Sequence, residues 1–422
     1  MSAPSKHFRI AIVGGGIGGL FTALSLNWHC KGHVQISVYE QASEYKEIGA
    51  GVGIGANAAK LLHKVGLGEA LNNIMGNTEG IWVAFRRFDT GGEVVTVHEE
   101  RSQKFRNSPV QRAEFLDLLL AAVKERGAAS LFTKKCCKHI KKCDSHMNIE
   151  FTDGTFASAD LIVACDGIHS AVRSQYATDR PIYSGRIAWR GLVELKSISE
   201  GWPFPTTSVQ WMAQDRHFLV FPISRNNLLN VVGFVTKDEA EMRDLRESWS
   251  CTGDIADMRK DFAGFEETVQ QVIGKLTSTP SKWLLNDRDP LAEWVYEDGQ
   301  VVLLGDAAHA MLPYQVGAGA GQAIEDGYIL GRALQDFFRT PGDIKQWLHL
   351  YQAVRLPRAQ KVQETTREAG DIYEMQSPDM KGLSFEDCMP LVKSRIEGRM
   401  KWIWTDNIDA AYDAAKAKLK GR

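Results

Sequence analysis

Phe8 to Val13 reads Phe-Arg-Ile-Ala-Ile-Val, and Gly14-Gly15-Gly16-Ile17-Gly18-Gly19 follows directly. An amphipathic run from Leu20 to Trp28 comes next, then a second apolar run, Val34 to Tyr39, that ends at Glu40. Strand, glycine turn, helix, strand and acid in this order form the context that turns a GxGxxG spacing into a dinucleotide-binding unit. Gly14 allows the tight turn, Gly16 lets the backbone approach a pyrophosphate, and Gly19 lets the helix lie close to the sheet. With Gly18 they form the expected phosphate cradle. The helix N-terminus adds unpaired N–H groups and partial positive charge. Glu40 is placed to accept the hydrogen bonds of a ribose diol.

The rest of the chain must accommodate that unit. At 422 residues it is long enough for two or more domains. A formal net charge of -2 offers no electrostatic case for nucleic acid or an anionic membrane. No apolar run is long enough to span a bilayer, and the N-terminus lacks an apolar signal core. A cytoplasmic enzyme is the expectation. Seven cysteines, an odd number in a large chain, argue against a disulfide framework. Cys136, Cys137, Cys143 and His139 fit no standard zinc spacing and sit among five lysines, so a solvated basic hairpin is expected and no metal site.

Further elements follow from periodicity and turn chemistry. Helices are expected over Ala56 to Lys64, Arg112 to Val123 and Gly321 to Phe338, with a polar helical remainder from Trp347. Asp89-Thr90-Gly91-Gly92 and Asp153-Gly154 mark hairpins within Ile81 to Val97 and Ile149 to Phe156. Tyr183 to Val235 alternates with aromatic residues and reads as a separate sheet. Leu161 to Ala164 and Val301 to Leu304 are fully apolar, like buried parallel strands. The β-rich block lies between them, so the nucleotide domain is interrupted by a second domain and completed late in the sequence.

Each of the two late strands ends in a polar motif, Asp166-Gly167 with Ser170 and Arg173 downstream, and Gly305-Asp306. Ligands sit at strand ends in open α/β sheets. Asp306 is placed to hold a ribityl hydroxyl. Gly317, Gly319 and Gly321 let backbone N–H groups approach a flavin's pyrimidine edge, where a reduced flavin needs donors. The reading is therefore FAD rather than a nicotinamide cofactor in the fingerprint.

The trio of Gly14–Gly19, Asp166-Gly167 and Gly305-Asp306 resembles the single-component, class A flavoprotein aromatic hydroxylases over nearly the whole chain, and within them the salicylate hydroxylases. Asp306 to Pro313, Gly317 to Gln322 with Glu325-Asp326, Trp189-Arg190-Gly191, Gln363 to Thr365, Gly370 to Tyr373 and Trp402-Ile403-Trp404 are similar to segments of that family. The resemblance implies an α/β fold: a Rossmann-like FAD-binding domain with an interleaved β-sheet substrate domain (p-hydroxybenzoate hydroxylase-like) and C-terminal helices. The expected boundaries are 7–80, 105–180 and 285–365 for the FAD-binding domain, 81–104 and 181–284 for the substrate domain, and 366–422 for the helical end.

Carried over by position, Glu40, Arg112 and Asp306 touch FAD, and Asp166 serves both FAD and NAD(P)H. Gly305, Gly317, Gly319 and Ala320 complete the cofactor set. Arg190, Tyr314 and His309 are the catalytic candidates, with a structural role within its motif beside Asp306 as the other reading of His309. Arg190, Phe221, Met212, Pro313 and Tyr314 are the substrate-binding candidates. Arg190 is placed at a strand end, and His217 either faces solvent or lines the pocket. The chain departs from the family at Tyr314, where bacterial salicylate enzymes have His, and at Val316, one residue more than the usual spacing.

The implied reaction uses non-covalent FAD, NADH or NADPH and O2 to hydroxylate a small phenolic acid. Salicylate going to catechol with loss of CO2 is the leading case. A hydroxylase or epoxidase acting on a larger phenol or indole is the alternative, and a flavin-binding redox sensor is the reading from another class. A monomer or homodimer is expected.

Overall fold

The computed structural model describes residues 7–45, 51–76, 80–99, 104–198, 201–242, 251–315, 317–340 and 342–420. Its first sheet has six strands in the order Val295–Tyr296, Val301–Leu303, Leu161–Ala164, Phe8–Val13, Val34–Tyr39 and Ser130–Phe132. All neighbours are parallel except the pair formed by Val295–Tyr296 and Val301–Leu303. Such strands are covered on both faces, which is why Leu161–Ala164 and Val301–Leu303 are apolar at every position and wholly buried.

Register decides where the motifs meet. Val13 lies beside both Tyr39 and Ala164, and Ala164 lies beside Leu303. The chain therefore leaves the sheet at one common edge, into Gly14, Glu40, Cys165-Asp166 and Leu304-Gly305. Segments more than 290 residues apart in sequence converge because parallel strands all present the same end.

The glycine turn is required by space. Gly14 has φ +101°, and a Cβ there would stand 2.2 Å from the Cys165 carbonyl oxygen. A Cβ on Gly19 would stand 2.0 Å from the Gly14 carbonyl oxygen, so the helix Ile17–Cys30 can start only where it does if residue 19 is glycine. Around Gly16 nothing lies within 4 Å, which leaves the backbone open to a ligand. The long helix Ala320–Arg339 packs on Ile17–Cys30, and helix Ile344–Tyr373 packs on it in turn.

The second sheet has seven strands: Ser281–Asp287, Ile182–Glu194, Leu228–Thr236, Arg216–Ile223, Val209–Ala213, Ile81–Arg87 and Glu93–His98, in that spatial order. Side chains alternate between its faces. Ile187, Trp189, Trp211, Phe218 and Val220 point to one side, against Phe262 and Val269 from the region of the short helices Ile255–Asp261 and Glu267–Gly274. Phe85, Ala188, Val232 and Phe234 point to the other, against Tyr314, Tyr373, Ile396 and Ile403. Fully burying one such side chain contributes about 1.5–3 kcal/mol, so both faces are firmly held.

The hairpins expected from turn chemistry form. Ile81–Arg87 pairs with Glu93–His98, and His146–Phe151 with Phe156–Ala159. Cys137–Cys143 adds to the latter pair as an antiparallel strand. Two details differ from the sequence reading. The glycine-dense segment contains a strand, Gly51–Ile54, paired with Ser108–Gln111, because a partner distant in sequence satisfies its backbone. Arg190 does not end its strand, which continues to Glu194 because Leu228–Thr236 pairs along its whole length. No described helix is long and apolar enough to cross a membrane.

Candidate active site

A cavity of about 500 Å³ lies between the ligand edge of the first sheet and the inner face of the second. Its floor on one side is Gly16, Ile17, Gly18, Gly167, Gly305, Asp306, Gly319 and Ala320. Its opposite wall comes from the seven-stranded sheet: Phe85, Gln210, Leu219, Phe221, Val232, Phe234 and Arg190. Pro313 and Tyr314 close it from a third side, and Arg112 lines it from the start of helix Arg112–Glu125.

The floor has the form of an anion and hydroxyl cradle. Gly305 takes φ +61° and turns the chain so that Asp306 opens a short helix with its carboxyl toward the cavity. Asp306 has accessible surface, yet burial raises its carboxyl above the usual carboxylate range, with His309 and Arg112 opposing the rise. The two observations agree once the accessible area is understood to face the cavity. Glu40 accepts from Gly15 N at 2.7 Å and Ala42 N at 2.8 Å. Each oxygen keeps a further lone pair for a ribose hydroxyl. Asp166 accepts from Ser170 Oγ at 2.6 Å and from Val172 N at 3.2 Å. Buried Arg173 then donates to the Ala307 and Ala308 carbonyls and pairs with Asp179 at 2.6 Å. The Asp166 motif thus fixes the segment that carries Asp306.

Behind the floor lies a buried ionic network. Arg355 binds Glu325 at 2.5 Å and Asp326 at 2.8 Å, and Arg358 also holds Glu325. Burial opposes ionisation of Glu325 and Asp326, but the neighbouring cations outweigh it and both carboxyls stay below their usual range. Asp326 also accepts from Gly305 N at 3.0 Å. The network thereby holds the glycine turn.

His309 belongs to this network and does not reach the cavity. It is fully buried, with Nε2 2.6 Å from Asp326 and its ring 5.3 Å from that of Trp294. A fully buried ring bound to Asp326 and off the cavity wall does not touch a ligand in the cavity, which corrects the reading of His309 as a catalytic candidate. Met212 is likewise fully buried and off the cavity wall. It lies beside His217 in the sheet, and the row it belongs to is covered by Tyr314. Gln210, two residues earlier on the same face, is the cavity residue instead. Period-2 alternation around Met212 was the signal that could have found it.

His217 neither faces solvent nor lines the cavity. It is stacked on Phe234 at 4.3 Å and bonded through Nδ1 to Glu374 at 2.9 Å. Burial pushes its pKa below the usual value. At neutral pH it is a neutral donor, and Arg186, 2.8 Å from Glu374, supplies the lasting counter-charge. Nothing in the local sequence announced Glu374. It closes the back of the cavity behind Tyr314, whose buried hydroxyl has no partner among the described residues.

The loop on either side of Tyr314 is tethered to helix Ile344–Tyr373. Gln363 Nε2 donates to the Ala310 carbonyl at 2.9 Å, Thr366 Oγ1 to the Leu312 carbonyl at 2.8 Å, and Gln315 Nε2 to the Thr365 carbonyl at 2.9 Å. Val316 lies outside the described residues. Gly317 is near this loop but not on the cavity wall, and its carbonyl accepts from Gln322 at 3.1 Å. Gly14, Gly19, Glu40 and Asp166 likewise shape the site from outside the wall.

Arg190 projects from mid-sheet into the cavity with its guanidinium 4.3 Å from the Trp283 ring. Its Nε has no hydrogen-bond partner among the described residues. Burial, with Arg112 adding like charge, pushes its pKa down to about 10. The site thus presents a desolvated cation, an aromatic wall and an open dinucleotide cradle in one space.

Residues 7–366 match the family model described as FAD binding domain. Salicylate hydroxylase of Pseudomonas putida is 33% identical over 432 residues, covering 97% of this chain and 95% of that protein. 6-Methylsalicylate 1-monooxygenase of Aspergillus terreus is 33% identical over 421 residues, covering 95% and 90%. A solved salicylate hydroxylase substrate complex superposes with a TM-score of 0.81 at 29% identity, covering 97% of this chain and 98% of that one. The p-hydroxybenzoate hydroxylase-like fold and the FAD and NAD(P)H expected from the motifs agree with these matches. The chain belongs to the FAD-dependent aromatic monooxygenase family.

Proposed function

We propose that this protein hydroxylates a small phenolic acid with NADH or NADPH and O2, and that decarboxylative hydroxylation of salicylate to catechol is its reaction. The observation that carries the reading is Arg190: a cation inside an aromatic cavity, with an unpartnered Nε and no carboxylate bonded to it among the described residues. A buried guanidinium without a counter-ion is costly, and a substrate carboxylate matches it with two hydrogen bonds. The relatives named for salicylate and 6-methylsalicylate support a carboxylated phenol as the ligand.

When bound, FAD supplies acceptance of hydride from NAD(P)H and activation of O2. The chain's own groups do the rest. Gly16, Gly18 and the start of helix Ile17–Cys30 hold the pyrophosphate, Glu40 the ribose and Asp306 the ribityl chain. Gly167, Gly319 and Ala320 leave their backbone open to the ring system. Phe221, Phe234 and Pro313 exclude water from the reacting ring, which strengthens each polar contact within. Tyr314 closes the cavity beside the substrate. Arg190 orients the carboxylate-bearing carbon. His309 braces the cofactor floor through Asp326.

The test is NADH and NADPH oxidation by the FAD-loaded protein across hydroxybenzoates, with catechol quantified as product. Salicylate-stimulated oxidation coupled to catechol supports the assignment. Equal oxidation with and without every phenolic acid tried refutes it.

A further inference from the structure

The inner face of the seven-stranded sheet carries one cross-strand row that spans the cavity wall. Phe85 lies beside Gln210, Gln210 beside Leu219, Leu219 beside Val232, and Val232 beside Arg190. Phe85, Leu219 and Val232 are apolar, so Gln210 and Arg190 are the polar members of this row, with two apolar residues between them. Gln210 and Arg190 stand three strand spacings apart, about 14 Å. Side chains that stand upright from the sheet at these positions meet different ends of a small ligand.

Gln210 is 4% exposed, lines the cavity, and its Nε2 has no hydrogen-bond partner among the described residues. Buried amide donors are almost always paired, and an orphan loses the full cost of its desolvation. Trp82, on the strand next to Gln210's, lines the same cavity and also has an unpartnered buried Nε1. Two orphan donors on adjacent strands call for an acceptor supplied by the ligand.

We propose that Gln210 determines substrate specificity by donating to an oxygen substituent on the aromatic ring, away from the carboxylate. Salicylate then remains a substrate, and a derivative of it with a further ring oxygen binds more tightly. This rests on the reading of the cavity as the site of a phenolic acid.

The probes are salicylate, its hydroxy and methoxy derivatives at ring positions 3 to 6, and the corresponding amino derivatives. Dissociation constants are read from perturbation of the flavin spectrum in the FAD-loaded protein. The wild type is expected to bind at least one oxygenated probe about tenfold or more tighter than salicylate, and Gln210→Met to bring that ratio near one. Gln210→Glu, an acceptor of similar shape, is expected to shift preference from methoxy to amino probes. Flavin content after purification reports whether each variant has folded, and Trp82→Phe provides a second donor deletion if both fail. An unchanged ratio in the variants, or a wild type that binds salicylate as tightly as every derivative, overturns the proposal and leaves the phenolic-acid reading standing. No spectral response to any phenolic acid overturns both.

Discussion

Asp306 and Arg190 place opposite charges on opposite walls of one cavity, and each has a distinct expected consequence. Asp306 follows a glycine at φ +61° and directs its carboxyl at the cradle. One charged hydrogen bond contributes about 1.5–3 kcal/mol, so Asp306→Ala should weaken FAD affinity about tenfold to a hundredfold. Flavin retained after dialysis measures this, and unchanged content would remove Asp306 from the cofactor set. Arg190→Ala should depress activity on carboxylated phenols far more than on phenols without a carboxylate, because only the former gain the ion pair. Comparing kcat/KM for salicylate and phenol checks it; equal losses would move Arg190's role to the cofactor or to folding.

At the scale of elements, the end of helix Ile344–Tyr373 is locked to the seven-stranded sheet by Glu374, which is fully buried and bonded to Arg186, His217 and Thr236. Removing one partner of a buried ion pair costs about 3–5 kcal/mol, so Glu374→Gln should lower stability by about that amount in denaturant unfolding. The pH dependence has a definite sign. Burial holds the His217 pKa in the folded chain below 6.5, so the unfolded state binds its proton more readily. For Glu374 burial opposes ionisation, but the His217 hydrogen bond, with His217 and Arg186 as neighbouring charges, brings the pKa below 4.5. Both groups therefore contribute stability that is present above the unfolded values and is lost as pH falls. Unfolding free energy should decline below about pH 6.5 and again below about pH 4.5. His217→Gln should flatten the first decline, and a pH series of melting temperatures that shows no change between the two proteins would count against it.

On the scale of the whole molecule, the cavity exists only because two sheets face each other, and a ligand filling it bridges both. FAD at a hundredfold excess over its Kd should add about 2.7 kcal/mol to stability. The melting temperature should rise with FAD concentration in a single transition; two transitions, only one of them FAD-sensitive, would show that the sheets unfold independently. No Cys or His stands in a recognisable attachment motif, so acid precipitation should release the flavin to the supernatant, and flavin left in the pellet would mean a covalent link.

The apolar runs, the glycine turn and the order of the motifs were local properties, and residues 8 to 40 alone carried enough to name a dinucleotide-binding unit. Gly19 was legible because a Cβ there would strike the Gly14 carbonyl five residues earlier, and Gly14 because the tight turn takes a positive φ. Hairpins at Asp89–Gly92 and Asp153-Gly154 were legible for the same reason: turn chemistry acts over a few residues. What tertiary structure alone decided was which side chains of an alternating strand meet the cavity. Gln210 and Met212 share a face, yet only Gln210 reaches open space, because Tyr314, from a loop about a hundred residues later, covers the row of Met212. Beside Asp306, His309 could be a base or a structural residue in the sequence, and its bond to Asp326 on the next helix makes it structural. Glu374 had no local signature at all, since its partners Arg186, His217 and Thr236 come from three strands brought together only by the register of the sheet. Backbone constraints act between neighbours in sequence; burial, and the pairing it enforces, acts between neighbours in space.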